Sequence, residues 1–121
     1  MVESVSAQVT WRYTENLEKA HEFYGEVLGL ELVRDEGAAR IYRVNSGACI
    51  GVCRAFEDRV VEPSGSMVSL VTDDVDGWYD RLKRAGVKLK APPHRLDQFG
   101  IYTFFAEDPD GYVVEFQKFD D

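Results

Sequence analysis

An internal duplication is the feature that most limits how this chain can fold. Equivalent residues recur at a nearly constant offset: Leu17 with Val75, Ala20 with Trp78, Tyr24 with Leu82, and Gly29 with Gly86. Each set follows helical spacing and ends at a glycine, which predicts one amphipathic helix in each half. The simplest arrangement is an α+β fold of two βαβββ modules, with one helix per module and curved sheets around a cup.

The duplication also sets the expected order of elements within a single domain, 1–121. Module one (about 1–56) should contain a strand at 6–12, a helix at 16–28 and strands at 30–34, 40–44 and 48–54. A polar segment with Pro63-Ser64-Gly65 predicts a linker at 57–65. Module two (about 66–121) should contain a strand at 66–72, a helix at 75–84, a strand at 87–90, a loop at 92–100 and a hairpin at 101–119.

The C-terminal hairpin contains an acidic residue in an apolar strand. Its turn is Asp108-Pro109-Asp110-Gly111, and Glu115 follows between Val114 and Phe116. If Val114 and Phe116 face the core, strand alternation directs Glu115 and Gln117 to the opposite face, towards the cup. A four-residue turn would place Tyr102 and Phe104 on that same face, although both could instead be ordinary core residues.

Strand alternation predicts a core face and a cup face along the predicted strands at 6–12, 48–54 and 66–72 and along the hairpin at 101–119. The core face would carry large apolar residues, including Trp11 and, in the second helix, Trp78. The cup face would be small or polar, as expected of a concave binding site. Its candidate ligand-binding residues are Gln8, Thr10, Arg12, Gly51, Cys53, Met67, Ser69, Tyr102, Phe104 and Gln117. His94, in the predicted loop, could close over the cup as a lid or an acid/base group, or could simply be solvated.

Composition restricts the class of partner. The 121 residues include 22 acidic and 14 basic side chains, a formal net charge of −8. This charge disfavours nucleic acid and anionic membranes and favours a neutral or cationic ligand. The sequence has neither a long apolar run nor a signal-peptide pattern at its start, so we expect a cytoplasmic protein. Cys49 and Cys53, four residues apart on one strand, would lie about 13 Å apart, too far for a disulfide.

Three motifs resemble the glyoxalase/bleomycin-resistance/extradiol-dioxygenase superfamily, the vicinal oxygen chelate fold. They are Phe23-Tyr24 followed by Val27-Leu28-Gly29-Leu30, then Asp73-Asp74-Val75-Asp76, and then Asp108-Pro109-Asp110-Gly111 with Glu115 four residues beyond. The resemblance covers almost the whole chain and implies the cup-shaped fold and a homodimer. It leaves the activity open, because this fold serves lyases, dioxygenases, epimerases, thiol transferases and metal-free binding proteins.

The resemblance also identifies the positions of metal ligands in metal-dependent members, which correspond to Gln8, Gly51, Met67 and Glu115. Glycine offers no side chain, and a thioether is a poor ligand for a hard or borderline divalent ion. We therefore expect no cofactor; a divalent ion, if bound, would lie near Gln8 and Glu115. Restoring ligands with Gly51→Glu and Met67→His is expected from the sequence to create a site.

Two function classes remain open. One is a metal-free protein that binds or sequesters a small, possibly cationic molecule in an aromatic-lined cup. The other is a lyase, isomerase or dioxygenase resembling glyoxalase, with Glu115 as general base or metal ligand. Glu115 could also be purely structural, bonded to Gln8 or paired with Arg12. A weaker third alternative is a sheet face that forms a subunit interface.

Overall fold

The computed structural model describes residues 2–121 and confirms the α+β fold with two helices and two mixed β-sheets. Its contacts divide the chain into two compact units, one ending at Glu62 and the next beginning at Pro63. Each unit has a strand, a helix and then an antiparallel set whose last strand pairs in parallel with the first. This shared topology agrees with the duplication in the sequence.

The first unit contains one helix and a four-stranded sheet in the order β1-β4-β3-β2. The helix α1 (Leu17–His21) is capped by Asn16, whose side chain accepts from the Lys19 amide at 3.1 Å. It continues as a π-helix over Glu22–Val27. The strands are β1 (Gln8–Thr14), β2 (Glu31–Asp35), β3 (Ala39–Asn45) and β4 (Ala48–Arg54).

The second unit packs one helix on a five-stranded sheet in the order β5-β9-β8-β6, with β7 also paired to β8. The helix α2 (Val75–Arg84) has the predicted bounds, and Asp74 caps it by accepting from the Gly77 amide at 3.0 Å. The strands are β5 (Val68–Val71), β6 (Lys88–Leu89), β7 (His94–Leu96), β8 (Ile101–Glu107) and β9 (Val113–Phe119).

An aromatic stack lies between α2 and its sheet. Phe104 and Phe116, directly opposite on β8 and β9, stack with ring centroids 5.1 Å apart. Trp78 stacks on Phe116 at 5.0 Å, and Tyr79 meets the edge of Phe104 at 5.3 Å. Phe104 and Phe116 are fully buried whereas Trp78 is half-buried, so the helix covers this face of the sheet.

In the first unit, the prediction of which β1 side chains face the core is wrong. Parallel partners point to the same side, and β1 pairs Thr10 with Ile50, Arg12 with Val52 and Trp11 with Gly51. Arg12 and the buried Ile50 and Val52 therefore share the face that packs against α1. Trp11 lies on the opposite face and is 37% exposed, so its prediction as a core residue is wrong.

No helix within residues 2–121 is long and apolar enough to cross a membrane. The cytoplasmic location and the homodimer stay predictions. His94 was expected in a loop, but it begins β7, and a short 3-10 helix, Asp97–Phe99, follows within the predicted loop.

Candidate ligand site in the second unit

Glu115 is a buried carboxylate held by two hydroxyl groups. It is 3% exposed, and its partners across the sheet are Ser69 on β5 and Phe105 on β8. Ser69 Oγ donates to Oε1 at 2.5 Å, and Thr103 Oγ1 donates to Oε2 at 2.7 Å. Both carboxylate oxygens thus accept a hydrogen bond, as burial of a charged group requires.

The residues beside Glu115 on this face line a pocket. It has a volume of about 640 Å³. Met67, Phe105 and Val113 form the sheet side, because they share the face of Glu115 by strand alternation. Lys90 and the segment that leads into β5 complete the wall, which consists of Pro63, Ser64, Gly65, Ser66, Met67, Lys90, Phe105 and Val113. The combination of apolar side chains and a few polar groups is typical of small-molecule sites.

The structure brings several of the predicted site residues together in this unit. Met67, Ser69 and Gln117 lie on the face of Glu115, and His94 joins them because it pairs with Thr103. Met67 is 48% exposed and forms part of the pocket wall. Their shared face agrees with the alternation expected for β5 and β9.

Tyr102 and Phe104 lie on the opposite face, contrary to the prediction. Five residues, not four, separate the paired residues Glu107 and Val113, which shifts β8 by one position against β9. A one-residue shift turns every side chain to the other face. Phe104 therefore packs under α2. The Tyr102 hydroxyl donates to Asp76 at 2.5 Å, a hydrogen bond that raises the pKa of Tyr102.

The same shift brings Thr103 and Phe105 to the site, and neither was predicted from the sequence. Lys90 was missed as well; its backbone amide donates to the Phe105 carbonyl at 3.2 Å and so borders the pocket. A threonine among aromatic residues was the available signal, because a hydroxyl inside such a strand needs a hydrogen-bond partner.

In the first unit, Gly51 and Cys53 share a face with Trp11, but Gln8, Thr10 and Arg12 do not. The prediction that these residues line one face with Gly51 and Cys53 is therefore wrong for Gln8, Thr10 and Arg12. A Cβ atom at position 51 would lie 2.4 Å from Cε3 of Trp11, so the indole fills the space above Gly51. Cys53 is half-buried, and its thiol donates to the Arg54 carbonyl at 3.4 Å.

Two of the four positions that the resemblance implies for metal ligands, Gly51 and Met67, carry residues poorly suited to a divalent ion, and the expected absence of a cofactor stays a prediction. In the first unit, Gln8 and Gly51 lie on opposite faces, and the indole of Trp11 takes the space a ligand side chain at 51 would need. In the second unit, Met67 offers a thioether, and both Glu115 oxygens accept from hydroxyls. Within residues 2–121, no group of three or more His, Cys, Asp or Glu side chains could hold a metal ion.

Comparison with known proteins gives a consistent family assignment. The family model described as the Glyoxalase/Bleomycin resistance protein/Dioxygenase superfamily matches residues 7–116. A lactoylglutathione lyase of Neisseria meningitidis serogroup A is 29% identical over 118 residues, which cover 84% of this chain and 81% of the relative.

Solved structures show the same fold at low identity. A lactoylglutathione lyase from Agrobacterium tumefaciens superimposes with a TM-score of 0.75 at 22% identity, covering 96% of this chain and 95% of the other. The fosfomycin resistance protein FosX from Listeria monocytogenes gives a TM-score of 0.74 at 18% identity, covering 98% and 94%.

Proposed function

Because the chain belongs to the glyoxalase/bleomycin resistance protein/dioxygenase superfamily, we propose that it binds a small organic molecule in the second-unit pocket without a metal ion. The observation that carries this proposal is the pocket of about 640 Å³ beside the buried Glu115. Pockets of roughly 300–1,000 Å³ with apolar walls and few polar groups hold drug-sized ligands.

The lining favours a ligand with an apolar or aromatic body. Phe105, Val113 and Met67 offer apolar surface, and burial of such surface contributes about 25 cal/mol per Å². The net charge of −8 favours a neutral or cationic molecule. Gly51 and Met67 support binding without a metal, because glycine offers no ligand side chain and a thioether is a poor ligand for a hard or borderline divalent ion.

Blocking the pocket tests the proposal. Val113→Phe adds a ring to the pocket wall, so it should abolish binding of whatever small molecule remains with the protein after gentle purification. Native mass spectrometry measures that occupancy. Val71→Phe is the matched control, because Val71 is 62% exposed on the same sheet and is not part of the pocket. Equal occupancy in both variants would contradict the proposal.

The alternative is an enzyme with Glu115 as its base. The relative named lactoylglutathione lyase favours it, whereas the burial of Glu115, which is 3% exposed, opposes it, because a substrate would have to reach a carboxylate enclosed by the sheet. Once a ligand is identified, Glu115→Gln separates the alternatives. Weaker binding supports an electrostatic role, whereas lost turnover with unchanged binding supports a base.

A further inference from the structure

We propose that His94 is the hydrogen-bond acceptor that selects ligands carrying a donor group at the edge of the second-unit pocket. This inference rests on the proposed function and adds the chemical class of the ligand: a small apolar or aromatic molecule with a hydroxyl or ammonium group.

The position of His94 follows from the strand register. His94 on β7 pairs with Thr103 on β8, and antiparallel partners direct their side chains to the same face, with Cβ atoms about 4.5–5.5 Å apart. The Thr103 hydroxyl binds Glu115, so this is the site face. Lys90, a pocket residue, borders the same edge of β8 through its hydrogen bond to Phe105. His94 therefore lies one step along the strand from the pocket wall.

The hydrogen bond at Nδ1 fixes the tautomer of the neutral imidazole. Nδ1 lies 2.9 Å from the Pro92 carbonyl oxygen, and a carbonyl can only accept, so Nδ1 carries the proton and donates. The lone pair of the neutral ring is then on Nε2. His94 is exposed, and no other side chain within residues 2–121 bonds to Nε2. The ring therefore presents an available acceptor.

A bidentate ion pair holds the strand that carries His94. Arg95 donates through Nη1 and Nη2 to the two carboxylate oxygens of Asp120, at 2.7 and 2.6 Å, and through Nε to Asp97 at 3.1 Å. Exposed ion pairs add little stability, but bidentate geometry restricts orientation. The imidazole is thus positioned before a ligand arrives, which lowers the entropic cost of binding.

Among the acceptors on this face, His94 presents a ring nitrogen, Nε2, that accepts no hydrogen bond within residues 2–121. The oxygens of Glu115 already accept from Ser69 and Thr103, and the residue is only 3% exposed, so they are less accessible to a ligand than the exposed imidazole of His94. A ligand with a donor group gains one hydrogen bond there, and a ligand without one gains none.

Phenol and anisole test this selection, since they differ only in methylation of the oxygen and hence in the donor proton. Protein with ¹⁵N-labelled histidine reports the tautomer of His94 and any shift at Nε2, with His21 as an internal reference. Methyl signals of Met67 and Val113 report pocket binding. We expect phenol to bind about 2–10-fold more tightly than anisole, from one net hydrogen bond, and to shift Nε2 of His94.

Two variants complete the test. His94→Phe should remove the preference for phenol while anisole still binds, and His94→Gln, whose amide oxygen reaches the place of Nε2, should retain part of it. Equal affinity for both probes in the unmodified protein, with methyl shifts at the pocket, would overturn the role of His94 and leave the proposed function intact. A proton on Nε2 in place of Nδ1 would also overturn it. No methyl shift with either probe would count against both.

Discussion

Replacing Gly51 with alanine tests whether Trp11 fills the space above the first sheet. The new Cβ would lie 2.4 Å from Cε3 and 2.5 Å from Cζ3 of the indole, where ordinary contact begins near 3.4 Å. The ring must therefore move by about 1 Å or leave its place. Overpacking typically costs about 1–3 kcal/mol. Because Trp11 is 37% exposed and can move outward, we expect Gly51→Ala to lower the free energy of unfolding by about 1–2 kcal/mol.

Urea unfolding followed by circular dichroism measures that loss, and two further variants isolate its cause. In a Trp11→Ala background the indole is absent, so adding Gly51→Ala should cost nothing, which gives a coupling energy of about 1–2 kcal/mol in a double-mutant cycle. Gly47→Ala is the matched control, because a Cβ there meets nothing within 4 Å and its φ is not positive. The reasoning is refuted if Gly51→Ala is as stable as Gly47→Ala, or if removing Trp11 leaves the cost unchanged.

Three more substitutions test the second unit and the first-unit core. Glu115→Gln should lower the free energy of unfolding by about 1.5–3 kcal/mol, since it weakens two hydrogen bonds, one buried and one part-buried, to a carboxylate; an unchanged urea midpoint would contradict this. Trp78→Ala should cost about 2–3 kcal/mol, less than a fully buried tryptophan, and a loss below about 1 kcal/mol would show that the stack on Phe116 contributes little. Burial raises the pKa of Tyr42 above its ordinary value of 10.0, so folding favours the protonated phenol. Its stabilising contribution is complete below about pH 10 and is lost as the pH rises through the raised value, so urea midpoints between pH 8 and 11 should fall more steeply for the unmodified protein than for Tyr42→Phe.

The elements were predictable where the sequence carries two independent signals. The helix over Val75–Arg84 has an apolar stripe, a capping aspartate and a glycine stop, and both of its bounds were correct. The strand over Ala48–Arg54 lies between a turn and a change in polarity, and its bounds were also correct. Redundant local signals leave few alternatives, which is why these elements could be placed without tertiary information.

The faces of β1 and β8 were not predictable in the same way, because both of their faces are plausible cores. In β1 one face carries Trp11 and Tyr13 and the other carries Arg12 and Thr14, and size alone favours the first. The choice depends on a tertiary partner, since Gly51 on β4 leaves room for the indole on the outer face. In β8 the error came from the turn, whose length differs by one residue from the expectation and reverses the sheet face.

The unpredicted position of Trp11 changes the outcome expected for the designed metal site. From the sequence, Gly51→Glu with Met67→His replaces two missing ligands. In the structure, a glutamate at 51 starts with the same Cβ that Trp11 excludes, so the larger side chain displaces the indole before it can bind an ion. The space that a ligand side chain at position 51 would need is thus already occupied by the indole of Trp11.

The parallel pairing of first and last strands has a consequence for how each unit folds. Within residues 2–121, β1 pairs only with β4 and β5 only with β9, so Ser69 and Glu115 meet across a sequence separation of 46 residues. Closing so long a loop has an entropic cost. Proteins with such distant pairings fold slowly. During synthesis, β1 and β5 therefore have no sheet partner until β4 and β9, respectively, have left the ribosome. The hydrogen bond between Ser69 and Glu115 is then among the last contacts to form.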